Sequence, residues 1–180
     1  SQVRAMTVEG LSRLADSRAL KPLILSLMDK SVDVRKATAE ALGKMKSTGA
    51  VEPLMKMLRD SDSDLREMVV VALGKIGDVR AIQTLVLHLF DRQEMVRNAA
   101  EIALEKIDGQ WKNSEGARSA IPMVEAALQD DDYWVRQTAS ALLKRLVGES
   151  AAPGMDEEIS TIADYAHHKR RDAANILSTA

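Results

Sequence analysis

The residues of this chain whose chemistry could be put to use are three histidines, one acidic run and a row of regularly placed arginines. His88 lies inside the apolar run "LVLHLF", a setting that predicts a structural or surface role. His167 and His168 are adjacent, so on a helix their side chains diverge by about 100° and cannot clamp one metal as an i, i+4 pair would. With Lys169, Arg170 and Arg171 they form a basic cluster of the kind that usually marks a solvated helix face. The run "DDDYWVR" at 130–136 places three carboxylates at a predicted helix start, where capping and the helix dipole explain them without calcium. No acid is paired with a base in a way that would drive catalysis. The expectation is a protein with no catalytic residues, no metal and no cofactor.

Composition narrows the class further. Of 180 residues 46% are apolar but only 3% aromatic, and the rest is rich in helix formers such as Ala, Glu, Lys and Arg. That mixture predicts an all-α chain. The 25 Lys and Arg nearly balance 27 Asp and Glu, so no global field draws the chain to nucleic acid or anionic lipid. The absence of cysteine excludes thiol chemistry, disulfides and thiolate metal sites. No apolar run approaches the length of a membrane span, and no signal pattern opens the chain. A cytoplasmic location is expected.

The elements that must position these residues follow from a repeat. Aligning on the Arg of [VL]-R gives Arg4, Arg35, Arg66, Arg97 and Arg136, at intervals of 31, 31, 31 and 39. The last step carries an insertion of 8, visible as the polar stretch "QWKNSEGA" at 110–117. Each unit resolves into two helices. The second shows a 3.6-residue apolar stripe, such as Val34, Thr38, Ala41, Leu42 and Met45, then Leu65, Val69, Ala72, Leu73 and Ile76. Ser31, Asp62 and Asp132 are its expected N-caps, with Gln93 the weak member. The first helix is marked by Pro22, Pro53 and Pro122, expected in its first turn. Pairs of this size cannot bury their faces alone, so they must stack into an α-solenoid.

The wording A-[VIL]-x-P-L, then D, then V-R-x-x-A-x-x-A-L-G-K-I resembles the HEAT-like repeats, specifically the short subtype known from phycobilisome bilin lyases. The resemblance covers residues 3–147. It implies a superhelix whose second helices line a concave groove, and a family that includes adaptors, bilin lyases, a hydroxylase branch and DNA-repair relatives. The His-Glu pairs of the hydroxylase branch are missing here.

The repeat predicts domains: a repeat array over 1–147, comprising a half repeat at 1–15, repeats at about 16–46, 47–77, 78–108 and 117–147, and the insertion near 110–117. Residues 148–180 are read as a linker, "GESAAPGMDEE", and a C-terminal capping helix in which Ile159, Ile162, Ala163 and Ala166 share a face. Opening on a half repeat without its first helix, the sequence predicts a piece of a longer protein or assembly through that end.

Two sets of positions carry the functional expectations. Asp29, Asp60, Asp91 and Asp130 precede Arg35, Arg66, Arg97 and Arg136 by six residues, which predicts a structural ladder between adjacent repeats. Gly43 and Gly74 are expected to be close-packing positions. Nine residues after each Arg the chain is always basic: Arg13, Lys44, Lys75, Lys106 and Arg145. Such cations suit a helix C-terminus, and they can equally line a groove. At the two-after and five-after positions the first units are acidic at Glu9 and Glu40, the middle ones apolar at Met68, Val71 and Ile102. With Met95, Tyr133 and Trp134 these form a candidate apolar patch on the concave face, the alternative being that the last three pack under the next turn. The expected function is a non-catalytic scaffold binding another protein, as a peptide or helix of acidic, amphipathic character. A bilin lyase-like chromophore-handling subunit is the alternative, with Trp134 or Tyr133 stacking on a tetrapyrrole. Nucleic acid comes third.

Overall fold

The computed structural model describes residues 2–13 and 17–147. The chain divides into two units, Ser1–Leu146 and Val147–Ala180; the expected linker and capping helix of 148–180 lie outside the described residues. Nine α-helices and no strand occur among those described: α1 (Gln2–Arg13), α2 (Leu20–Ser26), α3 (Val32–Met45), α4 (Val51–Met57), α5 (Ser63–Ile76), α6 (Ile82–Leu87), α7 (Glu94–Ile107), α8 (Glu115–Ala127) and α9 (Tyr133–Val147). The second helices α1, α3, α5 and α7 stack in a row, each against the next, while α2, α4 and α6 pack on their own partners and α8 packs on α6. This is an all-α solenoid of helix pairs.

Local chemistry sets the helix ends. The short first helices grow out of 3₁₀ turns at Ser17–Ala19, Thr48–Ala50 and Val79–Ala81, with Pro22 and Pro53 in the first α turn, where the lost N–H has no intrahelical partner anyway. Pro122 departs from that expectation. The insertion feeds into α8, which starts early behind its N-cap Ser114, whose hydroxyl accepts from Ala117 N at 3.1 Å, so Pro122 falls in the interior with its ring exposed. Among the expected N-caps, Asp62 accepts from Leu65 N and Asp132 from Trp134 N, both at 2.8 Å. Ser31 and Gln93 occupy the cap position without a side-chain bond.

What shapes the turn in every repeat is the Asp two residues earlier. Asp29, Asp60, Asp91 and Asp130 each accept the N–H two residues on, at 2.8, 3.0, 2.9 and 2.8 Å, closing an Asx turn between the helices. The Arg six residues later returns to the same turn: Nη1 of Arg35, Arg66, Arg97 and Arg136 donates to the carbonyl of that Asp, at 2.7–3.0 Å. The rest of the guanidinium reaches the next repeat. Arg4 pairs with Asp29 and Arg66 with Asp91 in bidentate fashion, and Arg35 Nη2 meets Asp60 at 3.0 Å. The ladder stops there. Arg97 has no carboxylate partner among the described residues, because the insertion displaces Asp130.

Stacking distance is set by small residues. A Cβ built on Gly43 would lie 2.8 Å from Ala72 Cα, and one on Gly74 would lie 2.8 Å from Ala103 Cβ. The glycines are therefore demanded by neighbouring backbone. At the next interface Glu105 stands in the glycine's place and Leu142 in the alanine's, and α9 makes no comparable backbone approach to α7. Trp111 of the insertion is fully buried there and donates Nε1–H to Glu105 Oε1 at 3.0 Å. The insertion is thus a spacer, and its tryptophan is core.

Gly74→Val is expected to lower the unfolding free energy by about 1–3 kcal/mol through overpacking, measurable by urea denaturation monitored at 222 nm. The ladder carries a pH signature. The Asp91 side chain is 8% exposed and that of Arg66 14%; burial raises the Asp91 pKa, but the Arg66 hydrogen bond, the Gln93 N–H and the charge of Arg66 together hold it below the usual carboxylate range. A depressed folded-state pKa contributes stability that is complete above the unfolded value of about 4 and is lost as pH falls through the folded value. Asp91→Asn should therefore cost about 2 kcal/mol at neutral pH and flatten the decline in stability between about pH 5 and pH 2.

Candidate functional site

The groove between neighbouring second helices inherits its shape from the glycine contacts. Because α3, α5 and α7 approach so closely, the floor consists of small residues, Ala72, Gly74, Ala99 and Ala103, and long side chains stand only along the edges. Two adjoining depressions result. One, of about 210 Å³, is lined by Glu40, Glu67, Met68, Val71 and Lys75 between α3 and α5. The other, of about 320 Å³, is lined by Glu67, Val71, Met95, Asn98, Ile102 and Lys106 between α5 and α7. Val71 and Glu67 belong to both. Val71, Met95 and Ile102 are exposed, and Met68 is half-buried.

Among the ten residues expected on this face, the structure gathers six around the two depressions: Met68, Val71, Met95, Ile102, Lys75 and Lys106. The other four do not line them. Lys44 pairs with Glu40 at 2.8 Å, a bond that holds the Glu40 carboxyl below its usual range. Arg145 hydrogen-bonds Glu101 of α7 and lies 5.7 Å from the centroid of the buried Trp111 ring, whose other cation neighbour is Lys112 at 5.6 Å. It fastens α9 to α7 and drops out of the basic row. The side chain of Arg13 lies outside the described residues. Tyr133 is half-buried, with Arg136 5.8 Å from its ring centroid and Trp134 edge-on at 5.9 Å.

Trp134 does not pack under the next turn. It is 74% exposed and lines a separate cavity of about 380 Å³ with Phe90, Arg92, Arg97 and Asp132, between the turn before α7 and the start of α9. The residues of the apolar patch expected from the sequence therefore lie on two separate surfaces, Met68, Val71, Met95 and Ile102 on one and Trp134 on the other.

His88 is accounted for structurally. Its Nδ1 lies 2.8 Å from the Thr84 carbonyl and its Nε2 3.2 Å from the Leu58 carbonyl, joining α6 to the end of α4. Among the described residues no group of three His, Asp or Glu side chains is placed to hold a metal ion, and no helix is long and apolar enough to cross a membrane. Sequence reasoning missed Trp111, which it left inside a polar insertion. One signal was available: a tryptophan in a chain with so few aromatics rarely sits idle in a loop.

Residues 1–60 and 21–105 match the HEAT repeats family, more than half of the chain. The chain belongs to the HEAT repeat family. No curated protein matches it in sequence. Among solved structures this HEAT repeat chain is similar to the complex of CpcE and CpcF of phycocyanin lyase from Nostoc sp. PCC7120, at 24% identity and TM-score 0.54, over 83% of its own length and 61% of that chain. It is also similar to computationally designed armadillo repeat proteins for modular peptide recognition, at 22% identity and TM-score 0.51, over 80% and 76%. Cex1p aligns at 21% identity and TM-score 0.55, over 91% of this chain and 34% of that one. The chain thus spans about three-fifths of the lyase chain, and at these identities the likeness is one of fold.

Trp111→Ala should destabilise the array by about 3–5 kcal/mol, and Trp111→Phe by about 1–2 kcal/mol because the hydrogen bond to Glu105 is lost. Thermal unfolding followed by circular dichroism distinguishes these values from the near-neutral change that an exposed loop residue would give.

Proposed function

We propose that the chain is a non-catalytic binding scaffold whose α5–α7 groove receives a segment of another protein. The observation that carries the reading is the pair of adjoining depressions. Their small-residue floor is fixed by stacking, and stacking gives no reason for Met68, Val71, Met95 and Ile102 to stand at the edges. Exposed, contiguous large apolar side chains of this kind anchor partners. Lys75 and Lys106 flank the groove, and no ion pair ties either one to the described residues. An amphipathic helix fits best, its apolar face on Val71 and Ile102 and its acidic residues toward the two lysines. The short bilin-lyase wording of the repeats and the designed peptide-recognition proteins that share the fold are compatible with this use of the surface.

A tetrapyrrole-handling role draws on the likeness to phycocyanin lyase but has less support in the site. Trp134, the residue suited to stack on a ring, shares no cavity with Lys75 or Lys106. Phosphate-led nucleic acid binding is weaker still. Lys44 and Arg145 are occupied by Glu40 and Glu101, which leaves too short a row of free cations.

The test is quantitative capture of a partner from lysate by the natural chain and by a Met68→Asp, Ile102→Asp variant shown by circular dichroism to stay helical. The expected result is a specific protein whose capture drops by about tenfold or more in the variant. Equal capture by both would remove the groove from consideration.

A further inference from the structure

The break in the ladder leaves a ligand-ready arginine. In the three intact rungs a guanidinium meets an Asp carboxylate of the next repeat, Arg4 with Asp29 and Arg66 with Asp91 through Nε and Nη2, and Arg35 with Asp60 through Nη2. Arg97 is held in the same posture by the same device, Nη1 donating to the Asp91 carbonyl at 2.8 Å and the Arg92 carbonyl at 3.2 Å. Arg66 uses the corresponding two carbonyls at 2.8 and 3.2 Å and then closes a bidentate pair through Nε and Nη2. On Arg97 those two groups have no hydrogen bond to any described residue, and neither is buried away from solvent. Arg97 instead lines the cavity of about 380 Å³, together with Phe90, Asp91, Arg92, Asp132 and Trp134.

We infer that this cavity is a carboxylate-binding site, in which an Asp or Glu side chain of a bound polypeptide completes the interrupted rung on Arg97. The chain itself supplies the argument for the ligand's chemistry, having solved the same recognition three times with a carboxylate. The guanidinium is oriented before binding, so little side-chain freedom is lost when the ligand arrives. Neighbouring acids do not fill the role: Asp91 is committed to Arg66 and the Gln93 N–H, and Asp132 caps α9 through Trp134 N. Arg92 adds a second cation at the rim. The Trp134 ring, three-quarters exposed, and Phe90 offer apolar surface to the residue beside the acid, which favours a peptide over a bare anion. The site stands apart from the α5–α7 groove and does not depend on that groove having a partner.

The experiment is a titration of the full chain with a capped Gly-Glu-Gly peptide and its capped Gly-Gln-Gly analogue, at constant ionic strength. Nitrogen-15 spectra follow the Arg97 Nε–H signal and the two indole N–H signals. The expected result is a saturable shift of the Arg97 and Trp134 signals with the Glu peptide. The Trp111 signal should stay still, and binding of the Gln peptide should be about tenfold weaker or more. Arg97→Lys, which keeps the charge but loses the fork, should weaken the Glu peptide several-fold, read at Trp134, with an unchanged circular dichroism spectrum showing that the fold persists. Equal shifts with the two peptides, or an Arg97→Lys variant that binds the Glu peptide as the natural chain does, would overturn the assignment. So would a failure of the Arg97 signal to move at all.

Discussion

The distance between neighbouring second helices is the constraint on which the rest of this array depends, and one absent side chain sets it. Gly43 and Gly74 let α3, α5 and α7 approach until a Cβ would collide with the next helix's alanine. At that spacing Arg66 reaches Asp91 of the next repeat through both Nε and Nη2, Arg35 reaches Asp60 through Nη2, and the groove above keeps a floor of small residues. Stacking and groove follow from that spacing, while the ladder also forms between Arg4 and Asp29, where Ser12 stands at the position of the glycine. Individually the ladder pairs are modest contributors, since an ion pair near the surface is opposed by desolvation and ordering. Their greater effect is to fix the turn, because the same Asp accepts a turn N–H and the same Arg donates to the turn carbonyl.

The departure at the fourth interface is as informative as the repetition. Where Glu105 and Leu142 replace the small pair, the helices cannot meet, and the chain inserts Trp111 to fill the space. The widening takes Asp130 away from Arg97 and opens the cavity beside Trp134. It also gives Arg145 a partner in Glu101 across the enlarged gap. Two bulkier residues and the eight-residue insertion thus coincide with a buried tryptophan, a broken rung and a reassigned arginine at one interface.

The period of 31 residues, the two-helix unit, the stripe of core positions and the packing role of the two glycines were legible in the sequence. Each rests on local periodicity, and a solenoid joins neighbours by the same contacts throughout. The Arg and Asp positions could likewise be read from a fixed offset, while their pairing holds only where the repeat is uninterrupted, at Arg4, Arg35 and Arg66 and not at Arg97. Within one chain, recurrence carried the information.

What the sequence could not decide depended on where recurrence fails. The insertion reads as polar and external; only packing against Glu105 and Arg145 made its tryptophan core, because burial is set by the volume left between two helices and not by the residues flanking the ring. Met95 and Trp134 occupy the same register in successive units, yet one faces the α5–α7 groove and the other a different cavity, because α9 is displaced relative to α7. The basic row looked continuous, but Arg145 leaves it through a tertiary contact with Glu101, whereas Lys44 pairs with Glu40 four residues earlier on its own helix. Sequence determined the unit and its period, since these are properties of one helix pair. The tertiary structure decided which surface stayed free, since that is a property of the spacing between pairs.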